Sequence, residues 1–279
     1  MRYVDELARE LRAVGIRGAQ RERILDEVGD HLRSDPEAES RFGRPEELAN
    51  AFAADAGTTE SRRAAVVGFG ALAVAGIVYA IAFAGFARAS HHADPPLASL
   101  AFFVIVLAPQ IAFVAGALAL LRAWRGRARG VLSSAERTVL ARRTSLALGA
   151  GLATMTAVLV YAVEVRSSIS SWVLAFTLAG AGAACVLLAL AIVPSVRAAR
   201  LRPQIAGTAG DVFDDLGLTG YRGRPWRFAV IVAGLSGLAV WVAGIVGADP
   251  IDGFIRGVFE GLVCLGGFAL LGRYLSLRH

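Results

Sequence analysis

Arg256 and Glu260 are the residues whose types and spacing most directly suggest chemistry. They lie four residues apart within the apolar run 253–272, so they share one face if that run is helical. Ionisable side chains inside a membrane segment are costly to bury and default to a functional role, here a ligand-sensitive or proton-sensitive switch. The alternative is a structural pair in which Arg256 also reaches toward Asp252 and the membrane surface. Both interpretations stay open at the level of sequence.

The remaining candidates for catalysis or metal binding are weaker. His91, His92 and Asp94 share a short segment and could hold a borderline metal such as zinc, but such a segment is more often an ordinary turn, and we predict no metal. Residues 234–237, Gly-Leu-Ser-Gly, approach a serine nucleophile motif, yet no histidine lies in an apolar run to activate the serine. No zinc-protease, phosphate-binding-loop or paired-carboxylate motif occurs. From the sequence we therefore predict that the protein is not an enzyme and binds no cofactor.

Long apolar runs must position these residues. Residues 64–87 contain no charge and no proline, and as a helix they outspan the roughly 30 Å hydrocarbon core of a bilayer. With 56% hydrophobic residues and 31 glycines, the composition is that of an integral membrane protein. Similar runs occupy residues 97–121, 144–163, 172–193, 228–247 and 253–272. We therefore predict an all-α polytopic membrane protein, with a helical domain at 1–60 and six transmembrane helices within 61–279.

The distribution of arginine predicts the orientation. All 29 basic residues are arginine, and the connections on one side of the predicted spans carry seventeen of them, against two on the other side. Cytoplasmic connections carry the excess of positive charge. We therefore expect a multi-pass protein of the cytoplasmic (inner) membrane, with the N-terminus and C-terminus both cytoplasmic and the lipid bilayer as its surroundings. The absence of an apolar stretch in the first residues predicts no cleavable signal.

Residues 1–60, called the head below, have a different composition. They carry nine arginines against fourteen acidic residues, and an acidic surface argues against direct binding of nucleic acid. Apolar residues recur at helical spacing, Gly15 and Gly18 break the pattern, and Pro45 is placed to start a helix. Three or four short helices are expected. A core from so few residues is marginal, so we expect the head to gain stability from a partner or from the membrane part.

Three motifs of the head resemble the HAAS domain, a small helical module at the N-termini of bacterial membrane proteins. The matching residues are Leu7 and Leu11 in the first helix, Ile24, Val28, His31 and Leu32 in the second, and the closing signature Gly43, Pro45, Leu48 and Ala49. The resemblance covers about the first fifth of the chain. It implies that the head works with a PadR-like winged-helix transcription regulator, or that it precedes the permease segment of a transporter.

Two classes of function follow. In the first, a signalling or regulatory membrane protein holds a cytoplasmic partner through its head, with Leu7, Leu11, Ile24, Val28, Gly43, Pro45 and Leu48 as the partner-binding residues. In the second, the chain is a membrane subunit or accessory protein of an ABC-type transporter and its partner is an ATPase subunit. The few polar groups within the apolar runs disfavour a solute pathway. A head that serves only for folding and assembly is the simpler alternative to partner binding.

Two further features concern packing and surfaces. Gly253, Gly257 and Gly261 form two overlapping G-x-x-x-G steps, which favour close helix packing within the bundle or across a homo-oligomer. The segment 194–227 combines an acidic turn at 211–217 with flanking arginines. It is either a docking surface for the head or a partner, or a loop held to anionic lipid by its arginines.

Overall fold

The longest element of the protein is one uninterrupted helix that links the head to the apolar part of the chain. The computed structural model describes residues 2–35, 38–86, 96–201, 203, 205–208, 210, 215, 225–246 and 250–276. Helix α4 runs from Pro45 to Phe86, 42 residues, with Pro45 at its first position and Glu46 and Glu47 in its first turn. Both acids face the positive end of the helix dipole. Residues 64–86 of the predicted span 64–87 are thus the second half of a helix that starts in the head.

Three shorter helices precede α4. They are α1 (Arg2–Ala13), α2 (Ala19–Ser34) and α3 (Ala38–Phe42). The predicted break between the first two is confirmed: Gly15 and Gly18 have φ of +95° and +62°, a conformation that glycine adopts without steric cost. Leu7 and Leu11 of α1 are fully buried and share a core with Ala49 and Ala53 of α4. The head core is therefore completed by the first turns of the long helix.

Three more helical segments pack around the second half of α4. They are α5 (Pro96–Arg125), followed by a 3₁₀ turn (Gly126–Arg129), then α6 (Ser134–Glu164), and then α7 (Ser171–Leu190) with α8 (Ile192–Arg200). We call α4–α8 the bundle. Its core contains Ala82, Ile105, Met155, Val158 and Leu188. Small residues dominate the buried face of α4, which lets neighbouring backbones approach closely.

The outward face of these helices is apolar. Ile77, Phe103, Phe113 and Leu190 each expose more than 60% of their surface. Exposed large apolar side chains in such number are unfavourable in water but suit contact with lipid. Among the described residues, four helical segments are long and apolar enough to cross a membrane: Pro45–Phe86, Pro96–Arg125, Ser134–Glu164 and Ser171–Arg200. The described chain is all-helical, and these four helices are those of a membrane protein.

Two prolines have different effects on the predicted spans. Pro109 lies inside α5, which remains a single helix, as is common for proline within membrane helices. The predicted span 172–193 instead divides at Ala191, where α7 ends and α8 begins. Pro194 supplies no N–H to the carbonyl of Leu190, so the helical ladder is interrupted at this point.

The chain forms two compact units, Met1–Ala209 and Gly210–His279. The predicted boundary at residue 60 falls within α4 of the first unit. The second unit contains α9 (Pro225–Val246) and α10 (Pro250–Ser276). These two helices pack against each other with backbones in close contact at Gly237 and Gly257.

Candidate functional site

Four of the seven head residues predicted to bind a partner lie in the interior. Leu7 and Leu11 are fully buried, and Ile24 and Val28 of α2 expose 7% and 3% of their surface. All four belong to the head core. Burying a leucine side chain contributes roughly 1.5–3 kcal/mol. In this structure these four residues stabilise the head. A second protein would have to contact other, exposed side chains of the head.

The closing signature positions the start of α4. Gly43 has φ of +69°, and its carbonyl oxygen accepts a hydrogen bond from the Tyr3 hydroxyl at 3.1 Å. Pro45 then begins the helix, and half-buried Leu48 packs against the head core. Burial, with a smaller contribution from Glu39, raises the pKa of Tyr3 above its usual value, so the hydroxyl stays protonated and donates. The closing signature therefore links α1, through Tyr3, to the start of α4.

The turn between α1 and α2 contacts the end of α8. A Cβ atom placed on Gly15 would lie 2.1 Å from the carbonyl oxygen of Arg200, so only glycine fits this contact. Leu201, immediately after α8, packs against the head core. The head is therefore held by the bundle at α8 as well as by α4. Nothing in the local sequence pattern pairs residue 15 with residue 200, so this contact is not predictable from the sequence.

A set of polar contacts, which we call the collar, joins α4 to the segment between α5 and α6. Thr58 Oγ1 donates to the carbonyl of Ala54 at 2.8 Å and accepts from the backbone N–H of Leu132 at 2.9 Å. Arg62 donates to the carbonyls of Gly126 and Gly130, at 2.5 and 2.7 Å. Backbone groups outside regular helices are thereby satisfied by side chains of α4.

The collar continues at the start of α6. Ser133 and Glu136 form a reciprocal capping box, which satisfies two backbone donors of the first turn. The Ser134 hydroxyl lies 3.1 Å from the carbonyl of Pro203 and 3.0 Å from that of Ile205. Arg137 also donates to the Pro203 carbonyl, at 3.3 Å. These contacts attach the segment that follows α8, at Pro203 and Ile205, to the collar.

Gly57 makes room for one collar side chain. A Cβ atom at this position would lie 2.6 Å from a guanidinium nitrogen of Arg137, so the arginine passes directly over the α4 backbone. In the sequence, the arginines of this region indicate only the orientation of the chain in the membrane. Their roles depend on which helices become neighbours, which arginine counts do not reveal.

Two further arginines of the predicted inner connections are buried. Arg143 exposes 2% and Arg122 6% of its surface, and Arg143 donates to the carbonyl of Leu118 at 3.4 Å. A buried guanidinium requires partners for its charge and its donors. The only sequence signal for this burial is that Arg122 directly follows the apolar run 97–121 and Arg143 directly precedes the run 144–163.

The predicted pair Arg256 and Glu260 lies on α10 in the second unit. Arg256 is exposed and Glu260 is half-buried. Cys264 Sγ lies 3.8 Å from a carboxylate oxygen of Glu260 and 3.5 Å from the hydroxyl of Ser236 on α9. The structure thus brings Glu260 together with a thiol and a hydroxyl that the sequence analysis had not linked to it.

The glycines of α10 lie where it crosses α9. A Cβ on Gly257 would approach the carbonyl oxygen of Gly237 to 2.5 Å, and one on Gly261 would approach that of Ala233 to 3.2 Å. Gly253, one turn earlier, is buried. Small residues at this spacing allow the two backbones to touch.

Several predicted features lie outside the described residues. They are His91, His92 and Asp94, and the turn 211–217 apart from the buried Asp215. Within the described part of the chain, no group of three histidine, cysteine, aspartate or glutamate side chains is placed to hold a metal ion.

Comparison with known proteins finds no family model, no curated protein and no solved structure that matches this chain.

Proposed function

We propose that this is a multi-pass protein of a bacterial cytoplasmic membrane whose head binds a cytoplasmic regulator according to the state of the bundle. The observation that supports this proposal is the continuity of α4. Ala49 and Ala53 at one end of this helix belong to the head core, and Ala75 and Ala82 at the other end belong to the bundle core. A rigid helix shared by two cores transmits a shift or rotation of one to the other.

The accessible surface for a partner is on α2. Glu22, Asp26 and Asp30 recur at four-residue spacing on its exposed face, opposite buried Ile24 and Val28. An acidic stripe suits a basic partner, because complementary charge speeds encounter and fixes orientation. A PadR-like winged-helix regulator, which the resemblance of the head implies, would offer the basic surface that such proteins use for DNA.

A crosslinking experiment tests the partner. A photoreactive residue placed at Asp26 is expected to capture a winged-helix regulator in intact cells, whereas the same residue at exposed Arg142 on α6 is not. Capture of an ATPase subunit at Asp26 would instead favour the second class of function, a transporter accessory protein. Absence of any product specific to Asp26 would contradict a partner-binding head and leave the head as an assembly unit.

We also propose six spans, with α9 and α10 as the fifth and sixth, and both termini in the cytoplasm. The 22 residues of α9 and 27 of α10 are long enough, at about 1.5 Å per residue, to cross the bilayer core. A reporter fused after residue 279 should read cytoplasmic, and one inserted at residue 95 should read external. With a cytoplasmic N-terminus, an external C-terminus would require an odd number of spans, and either α9 or α10 would then not cross the membrane.

A further inference from the structure

A cleft of about 1390 Å³ opens between the head and the bundle within the first unit. Its walls come from α1, α2, the first half of α4 and the end of α8. Five arginines line it, namely Arg12, Arg17, Arg23, Arg197 and Arg200, against the three acids Glu27, Asp55 and Glu60. The cleft is therefore positively charged, although the head as a whole is acidic.

Four of these arginines, Arg17, Arg23, Arg197 and Arg200, take part in none of the ion pairs found among the described residues. The ion pairs found among the described residues are Arg33–Asp30, Arg41–Asp35 and Arg44–Glu47 in the head, and Arg63–Glu60 just beyond it, and none of them uses an arginine of the cleft. Arg17, Arg23, Arg197 and Arg200 are exposed to the solvent of the cleft. Cations that converge on one concave surface raise the local concentration of anions.

Helix dipoles account for only part of this arrangement. Arg12, Arg197 and Arg200 lie in the last turns of α1 and α8, where a cation is favourable. Arg17 has the opposite placement, just before the N-terminus of α2, where the dipole is positive and Gly18 supplies no side-chain cap. A bound anion would relieve this repulsion between Arg17 and the positive end of the α2 dipole.

The two walls of the cleft are held at a defined separation. The contact of Gly15 with the Arg200 carbonyl fixes the α1–α2 turn against the end of α8. Arg17 and Arg23 therefore face the cleft from the head, and Arg197 and Arg200 from α8. Binding is strongest when such donors are already positioned before the ligand arrives.

We propose that this cleft binds a phosphate-bearing anion between the arginines of the head and those of α8. Guanidinium groups recognise phosphate through paired, charge-assisted hydrogen bonds. Small-molecule sites enclose roughly 300–1,000 Å³, so this cleft has room for a ligand larger than inorganic phosphate. Glu27, Asp55 and Glu60 can accept hydrogen bonds from hydroxyl or amino groups on the same ligand.

This inference goes beyond the proposed function, because a ligand at this position joins the head to α8 whether or not a partner is bound. Two sources supply the same chemistry: a soluble phosphorylated molecule, or the headgroup of an anionic phospholipid. The experiment therefore has two arms, each using the full chain in lipid nanodiscs.

In the first arm, the protein in phosphatidylcholine nanodiscs is titrated with pyrophosphate and binding is measured by calorimetry. In the second, nanodiscs also contain phosphatidylglycerol, and the lipid retained by the protein is measured by native mass spectrometry. The test variant is Arg17→Gln/Arg197→Gln, and Arg23→Gln/Arg200→Gln is its replicate. The control, Arg9→Gln/Arg142→Gln, also removes two positive charges, but from exposed positions outside the cleft.

We expect both cleft variants to weaken binding at least tenfold in one of the arms and the control to change it less than threefold. Loss confined to pyrophosphate assigns a soluble ligand, and loss confined to phosphatidylglycerol assigns a lipid headgroup. Circular dichroism checks that each variant keeps its helix content. Equal weakening in the control and cleft variants, or no measurable binding in either arm, would overturn the proposal.

Discussion

The head and the bundle are built for different solvents. In the head, large apolar side chains such as Leu7 and Leu11 are buried and charged residues are exposed. In the bundle, large side chains such as Ile77 and Phe103 are exposed, while alanine and glycine occupy much of the interior. The head is stabilised by removing apolar surface from water. The bundle lacks that driving force between its helices in lipid and depends on close packing and polar contacts.

The largest effect should come from a charge in the head core. Leu11→Asp should unfold the head, because an unpaired buried carboxylate costs several kcal/mol and the core of the head is small. Membrane insertion should be unchanged. The measurement is limited proteolysis of the head together with membrane fractionation. Arg9→Asp, at an exposed position on the same helix, is the control; if both variants were equally protected, Leu11 would not be a core residue.

A smaller but still large effect is expected at Arg256 and Glu260 on α10, the proposed sixth span. Arg256→Leu and Glu260→Leu should each lower thermal stability in detergent, by up to about 3 kcal/mol, because each leaves one charge uncompensated. The double variant should recover much of this loss. If the pair is structural, the double variant should also keep its regulatory or transport activity. If the pair is a switch, the double variant should be stable but inactive. Additive losses would show that the two residues do not interact.

Close packing of the bundle is tested by two glycines of α6. A Cβ at buried Gly151 would lie 2.6 Å from Leu72, whereas nothing lies within 4 Å at exposed Gly149. Gly151→Leu should therefore destabilise the bundle by about 1–3 kcal/mol. Gly149→Leu, which extends the lipid-facing surface, should be nearly neutral. Thermal unfolding in detergent distinguishes them, and equal tolerance would contradict the described helix packing.

The last prediction, with an effect no larger than that at Gly151, concerns the collar. Thr58→Val keeps the side-chain shape but leaves the N–H of Leu132 without its acceptor, at a cost of about 1–3 kcal/mol. Thr58→Ser keeps the hydroxyl and should lose less. Hydrogen exchange at residue 132 is the sharpest measurement: it should accelerate in the valine variant only. Unchanged exchange would mean that the collar does not join α4 to this segment.

Sequence patterns predicted the helices well where the pattern was local. The apolar run 64–87 coincides with α4 up to Phe86, the runs 97–121 and 144–163 lie within α5 and α6, and the break at Gly15 and Gly18 is present. Local patterns predicted less well where the outcome depends on a neighbour. The continuation of α4 from Pro45 was missed because the change from charged to apolar residues resembles a boundary between two elements.

The candidate sites divide in the same way. Hydropathy placed Arg256 and Glu260 in the apolar run that forms α10, but the contact of Cys264 with both Glu260 and Ser236 depends on how α9 packs against α10. The head leucines followed from helical periodicity. Whether they face a partner or one another depended on the packing of α1 and α2 on α4.

The sequence by itself determined that the described chain is all-helical and where long apolar helices suited to a membrane lie, because hydrophobic periodicity and run length depend only on neighbouring residues. Only the tertiary structure decided that one helix serves both the head and the bundle. It alone placed Arg62 and Arg137 in the collar, and it brought four cleft arginines from α8 and the head together. Such contacts join residues more than 180 positions apart, such as Gly15 and Arg200, and no local pattern encodes which pairs will meet.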